Sequence, residues 1–178
     1  MTESSPRSGG LGKWAPLDLH IRLLADEHAG LILRFTCRLR HSVERVWAAL
    51  THEAELAVWY PTRVRIDTRP GGQISFQFPG ADPFFGVVLE VEPPTLLVFT
   101  TLDDTLRWQL AEAEGGCVLT LENIVAHPEH APYTAAGFDI TLNQLTTLLD
   151  YGASHVHRRE MPPPDELVGH YRTVLPSP

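Results

Sequence analysis

The chain has 178 residues, of which 43% are hydrophobic and 20% are charged, so we expect one soluble folded domain with extra material at its ends. Its formal net charge of −8 argues against binding to nucleic acid, because surfaces that hold a phosphate backbone concentrate Lys and Arg. No apolar run is long enough to span a membrane, and the N-terminus lacks the apolar core of a signal peptide, which together favour a cytoplasmic protein.

The beginning of the chain predicts a mobile segment followed by two strands. Residues 1–16 are rich in Ser, Gly and Pro and have little to bury, so we expect them to be mobile. Residues 17–24 and 30–40 favour strands. In the second strand apolar residues alternate with polar ones, which is typical of one buried and one solvated face. The apolar set is Leu31, Leu33, Phe35, Cys37 and Leu39.

Residues 41–61 predict two short helices. Apolar residues recur there at helical spacing, and Ser42 is a suitable N-cap for the first helix. Thr51 offers a cap for the second helix, and Pro61 ends it.

Six further strands are expected between residues 63 and 126, joined by short turns that imply an antiparallel meander. Their predicted ranges are 63–68, 73–78, 84–91, 96–102, 105–114 and 117–126. Alternation along four of these strands predicts which residues point inward. The inward set is Val64, Ile66, Ile74, Phe76, Phe78, Phe85, Val87, Leu89, Leu106, Trp108 and Leu110.

The last long element is an amphipathic helix over residues 133–151. Its apolar stripe contains Phe138, Leu142, Leu145 and Leu149, whereas Ile140 and Tyr151 fall on the opposite side. The inward face of the meander needs a large apolar partner, and this helix is the available one. The expected fold is therefore α+β, with a curved antiparallel sheet wrapped around a long C-terminal helix and two short helices after the first long strand.

Four segments in this order resemble the START-like, helix-grip (SRPBCC) superfamily, and within it the group named after the activator of the Hsp90 ATPase. They are "RVWAALTHEAELAVWYP", "PGGQISFQF", "GVVLEVEPPTLLVFTT" and "GFDITLNQLTTLLD", and the resemblance covers roughly residues 31–151. It implies a helix-grip domain over residues 17–152. Residues 153–178 are expected to form a tail that docks on the domain. Its stretch "DELVGHYRTVL" resembles the short acidic-then-Tyr segment that ends many bacterial members, with Leu167, Tyr171 and Val174 on one face.

The resemblance also implies that the first and last strands of the grip pair antiparallel. Cys37 and Cys117 would then lie near each other on the buried face. Two cysteines do not make a disulfide framework, so we expect both to be reduced, buried thiols.

In this superfamily, relatives carry lipids, hormones or polyketides between sheet and helix, some catalyse cyclisation and others assist a chaperone. A small hydrophobic molecule is therefore the expected partner, although the same side chains could also fill an ordinary core. The polar exception in the lining is Asn123, which either orients a ligand or bonds to nearby backbone. The predicted ligand-binding residues are Trp59, Phe76, Phe85, Val87, Trp108, Asn123, Phe138, Thr141 and Leu142.

No metal site, cofactor or catalytic constellation can be placed from the spacing of His, Cys, Ser and acidic residues, and solvated surface charge is the expected role of Asp139, Glu122 and Arg107. Binding without catalysis is the leading hypothesis. One alternative is a polyketide-type cyclase or aromatase that uses Asn123, Thr141 or Arg107 to polarise a carbonyl group.

Another alternative is an interaction module, either a co-chaperone or a homodimer. Its motivation is that Ile140 and Tyr151 need cover on the outer side of the long helix. The chain's own tail could supply that cover through Leu167 and Tyr171.

Overall fold

A computed structural model describes residues 19–28, 30–157 and 162–175; the segment 1–16, predicted to be mobile, lies outside them. The described chain forms eight strands and four α-helices, with 3-10 turns at Pro128–His130 and Ala153–His155. The strands are β1 (Leu19–Asp26), β2 (Gly30–Leu39), β3 (Arg63–Ile66), β4 (Gln73–Gln77), β5 (Phe84–Glu92), β6 (Leu96–Thr101), β7 (Asp104–Ala113) and β8 (Gly116–Val125). The helices are α1 (Val43–Thr51), α2 (Glu53–Trp59), α3 (Ala131–Tyr151) and α4 (Asp165–Val174).

One antiparallel sheet contains all eight strands in the order β1-β2-β8-β7-β6-β5-β4-β3. Its long central strands alternate between buried and solvated residues, as their sequences predict, and α3 lies across the buried face. The predicted α+β helix-grip fold is therefore confirmed.

The pairing of β2 with β8 also confirms the expected antiparallel contact between the first and last strands of the grip. Cys37 lies opposite Leu119, and Leu39 lies opposite Cys117. The two cysteines are thus diagonal neighbours on one face, and both are buried thiols that form no disulfide. Burial, helped by the negative charge of Glu44, raises the pKa of the Cys117 thiol.

The two short helices form as predicted, but one cap differs. The Ser42 hydroxyl accepts a hydrogen bond from the Arg45 backbone N–H at 3.2 Å, which begins α1. Thr51 does not cap α2, and His52 occupies that position. The prediction for Thr51 was wrong because this residue belongs to the last turn of α1, where its hydroxyl donates to the carbonyl of Trp47 at 2.8 Å.

The inward face of β5 is also different from the one predicted. Phe85, Val87 and Leu89 are 55%, 45% and 50% exposed, whereas Gly86 and Val88 face the core. Both faces of this strand are rich in apolar residues, so alternation alone could not choose between them. Gly86 permits the observed orientation of β5, because any larger residue at this position would place a Cβ on the carbonyl oxygen of Thr100 on β6.

The described residues contain no helix that is both long enough and apolar enough to cross a membrane.

We predict that Gly86→Ala lowers the free energy of unfolding by about 3 kcal/mol, because the new methyl group forces β5 away from β6. Gly169→Ala is the matched control, since a Cβ there meets no atom within 4 Å. In the middle of α4 this control should stabilise by about 0.5–1 kcal/mol. Urea unfolding measures both, and equal effects of the two substitutions would contradict the close approach of the strands.

Candidate ligand-binding cavity

A cavity of about 730 Å³ lies between the inner face of the sheet and the N-terminal half of α3. Residues of the five strands β4 to β8, of α3 and α4, and of the segment after α2 line it. The apolar side chains of this lining include Phe76, Phe78, Phe84, Leu106, Val125, Phe138 and Val168.

Four of the nine predicted site residues line this cavity: Phe76, Asn123, Phe138 and Thr141. Trp59 and Trp108 instead border a separate void of about 20 Å³ in the adjacent core. Leu142 is buried in the core, and Phe85 and Val87 lie on the outer face of the sheet. Because those two side chains point away from α3, the prediction that they face the space beneath it was wrong.

Aromatic rings form two sides of the cavity. On the sheet, Phe84 stacks on Phe76 with ring centroids 5.1 Å apart, and Phe78 lies 6.2 Å from Phe84 on the other side. On α3, the ring of Phe138 lies 5.5 Å from Phe35 and 6.4 Å from Trp108. Trp108 does not line the cavity, but its ring packs against the ring of Phe138, which does.

Trp59 joins the helix pair to the core. Its indole N–H donates to the carbonyl of Ala49 at 2.9 Å, and its ring meets Trp108 edge to face at 6.2 Å. Full burial of Trp59 leaves its neighbours Tyr60 and Pro61 to reach the cavity. Burial also raises the pKa of Tyr60, so this phenol stays neutral at physiological pH.

Two buried polar groups interrupt the apolar lining. Asn123 and Thr62 are each 2% exposed, and neither Asn123 Oδ1 nor Thr62 Oγ1 has a hydrogen-bond partner among the described residues. The hydroxyl of Thr141 is different, because it donates to the carbonyl of Gly137 at 2.8 Å. Thr62 was missed in the sequence, although it shares the alternation of Val64 and Ile66 and so belongs to the inward face.

Ionisable residues surround the mouth of the cavity. Asp103, Asp104, Glu129 and Arg172 line it together with His127, and His127 lies 3.5 Å from Asp103 and 3.8 Å from Glu129. Within the described ranges, no group of three or more His, Cys, Asp or Glu residues is arranged to hold a metal ion. Arg107 and Glu122 lie outside the lining, in ion pairs with Glu90 (3.6 Å) and Arg34 (2.6 Å).

Helix α4 completes one wall of the cavity by docking on α3. Asp139 accepts hydrogen bonds from the Tyr171 hydroxyl and from Asn143 Nδ2, both at 2.8 Å. Asp139 was predicted to be solvated, but this docking buries it. Ile140 beside it is also buried, whereas Tyr151 is 58% exposed.

The buried face of α4 is displaced from the predicted one. The expected face contained Leu167, Tyr171 and Val174, but Val174 is exposed and Leu167 is half-buried. The buried residues are Val168, Tyr171 and Leu175, whose spacing also suits one side of a helix. On this packed helix, Val168 and Arg172 reach the cavity.

An open antiparallel sheet that holds a long C-terminal helix over a lined cavity defines the START-like, helix-grip class of proteins. Residues 40–150 match the family described as Activator of Hsp90 ATPase homolog 1-like protein, and the chain belongs to that family. No curated protein is similar enough in sequence to count as a match.

Solved structures support the same fold. CalU16 from Micromonospora echinospora is 20% identical with a TM-score of 0.65, over 88% of this chain and 94% of CalU16. EF2215 from Enterococcus faecalis is 17% identical with a TM-score of 0.67, over 86% and 88% of the two chains. DynU16, a protein of the dynemicin biosynthetic locus, is 20% identical with a TM-score of 0.63, over 71% of this chain and half (50%) of DynU16.

We predict that Tyr171→Phe lowers the free energy of unfolding by about 1–3 kcal/mol, because it removes a hydrogen bond to a buried carboxylate. Tyr151→Phe removes a hydroxyl from an exposed ring and should change stability by less than about 0.5 kcal/mol. Equilibrium unfolding in urea compares the two variants. If Tyr151→Phe costs as much as Tyr171→Phe, the hydrogen bond does not hold α4 in place.

Proposed function

We propose that the protein binds a small, mostly apolar molecule in the cavity between the sheet and α3. The observation that carries this proposal is a space of about 730 Å³, whereas the void in the adjacent core has only about 20 Å³. Cavities that bind small molecules have volumes of about 300–1,000 Å³ and combine apolar walls with a few polar groups. The lining described above has this composition.

The aromatic walls supply most of the expected affinity. Phe84 on the sheet and Phe138 on α3 offer flat apolar surfaces from opposite sides, and each Å² of apolar ligand surface that leaves water contributes about 25 cal/mol. Neighbouring rings hold both side chains in position. A rigid lining favours affinity because little side-chain freedom is lost when a ligand binds.

Binding is better supported than catalysis. Among the polar side chains of the lining, Asn123, Thr62 and Tyr60 suit the orientation of a ligand by hydrogen bonds, and none of these three is a general base at neutral pH. The buried carboxylate of Asp139 is engaged by α4. DynU16 belongs to a biosynthetic locus, which is a property of DynU16; the proposal for this chain rests on its own cavity.

We predict that Thr134→Trp weakens the binding of a neutral fluorescent probe such as N-phenyl-1-naphthylamine by about tenfold or more, because the indole occupies the cavity. Thr134 lines the cavity on α3. Thr147→Trp is the matched control, since Thr147 lies on the same helix outside the lining. Fluorescence titration measures both dissociation constants.

Two results would contradict this proposal. In one, Thr147→Trp weakens the probe as much as Thr134→Trp, which would place the probe elsewhere. In the other, the wild-type protein binds none of a panel of hydrophobic metabolites, as judged by native mass spectrometry.

Self-association is a second candidate property, and the outer face of β5 favours it. Phe85, Val87 and Leu89 form an exposed apolar row on this strand. Adjacent apolar side chains on a protein surface commonly mark a contact with another molecule. A second copy of the chain would bury the row without any further component.

We predict that the triple substitution Phe85→Ser, Val87→Thr and Leu89→Ser shifts the protein toward monomer by about tenfold or more in dimer dissociation constant, because the apolar contact is lost. Sedimentation equilibrium measures this constant. Tyr151→Ser is the control, because it removes an exposed apolar ring from a different surface. A wild-type chain that sediments as a monomer at all accessible concentrations would exclude the dimer.

A further inference from the structure

The side chain of Asn123 lies in apolar surroundings. It is on β8 between Leu33 of β2 and Leu106 of β7, and both neighbours are almost fully buried. An apolar residue would continue the alternation of β8, which has Leu119 and Leu121 on the same face. The side-chain oxygen of Asn123 has no hydrogen-bond partner among the described residues. A Leu at this position would therefore serve the packing of the sheet equally well.

Thr62 repeats this arrangement at the other side of the cavity. It immediately precedes β3, which four strands separate from β8 in the sheet. Its hydroxyl oxygen is equally buried and also lacks a partner among the described residues. The two polar groups therefore belong to opposite parts of the lining, and a ligand can meet either one.

The charge of the lining disfavours an anion. Its carboxylates are those of Asp103, Asp104 and Glu129, and among the described lining residues Arg172 is the one Lys or Arg. With neutral histidines these four groups sum to a net negative charge, which repels an anionic ligand at the mouth. The interior around Asn123 is apolar and offers an anion no counter-charge.

We infer, building on the proposed binding function, that the ligand is a neutral molecule whose apolar body carries a hydroxyl group, and that this hydroxyl hydrogen-bonds to Asn123. A hydroxyl both donates and accepts, so it suits the amide in either of its two flipped orientations. A plain hydrocarbon offers no hydrogen bond and would leave the amide unpaired. Asn123 is thus a specificity-determining residue that rejects such hydrocarbons.

Three fluorescent probes of one shape test this inference: pyrene, 1-pyrenemethanol and 1-pyrenecarboxylate. The wild-type protein should bind the alcohol about tenfold or more tightly than pyrene, because only the alcohol can form a hydrogen bond with the amide. The carboxylate should bind more weakly than the alcohol. Fluorescence titration at fixed ionic strength gives the three dissociation constants.

Asn123→Leu is the decisive variant, because it keeps the size of the side chain and removes the amide. It should weaken binding of the alcohol by about tenfold while pyrene binds as tightly as before or more tightly. The melting temperature should rise, since a buried unpartnered amide is lost. If this variant does not fold, Asn123→Ala replaces it and should show the same loss of preference. Thr62→Val, on the other side of the cavity, tests whether Thr62 contributes separately.

The outcomes separate the inference from the proposed function. If wild type binds all three probes equally, or binds the carboxylate most tightly, the inference is overturned while cavity binding stands. If Asn123→Leu keeps the full preference for the alcohol, the role of Asn123 is overturned as well. If the protein binds none of the probes but binds other hydrophobic metabolites, only the inference fails; if it binds nothing, both fail.

Discussion

The rest of the structure depends on the antiparallel pairing of β2 with β8. This pairing joins the beginning of the grip domain to its end, so the strands between them can form a meander that returns from β3 to β8. Helices α1 and α2 must then carry the chain from β2 to the far side of the sheet. Because α3 follows β8 directly, it crosses a single continuous apolar face.

The two halves of α3 use that face differently. Its C-terminal half packs Leu145 and Leu149 into the core, whereas its N-terminal half places Phe138 and Thr141 beside the cavity. The separation follows from the aromatic residues of the sheet and the helix pair: Trp59 and Trp108 fill the core next to the cavity, and their rings support Phe138 at its edge. One helix thus closes a core and borders the cavity.

Most of the fold could be predicted from the sequence, because local patterns of apolar residues identify the strands, the helices and their buried faces. Alternation along β2 and β8 and the stripe on α3 are unambiguous, and four of the predicted site residues do line the cavity. The prediction was wrong where the pattern of apolar residues fits two orientations equally well, or where a tertiary contact buries a residue that would otherwise be exposed. The strand β5 is apolar on both faces, so its orientation depends on the contact of Gly86 with β6. Asp139 looks solvated in isolation, but hydrogen bonds from Tyr171 and Asn143 make its burial tolerable.

Part of the cavity lining lies outside the residues that match the family, because α4 contributes to it. Membership of the family therefore defines the fold but not the whole lining. Val168 and Arg172 contribute to the cavity, yet both lie beyond residues 40–150, which match the family. The hydrogen bond between Tyr171 and Asp139 joins this outlying helix to α3. A change of residue on α4 can therefore alter the charge and shape of the mouth without disturbing the sheet. The lining of the cavity is thus divided between the sheet side, where Asn123 and Thr62 lie, and a wall that α4 supplies.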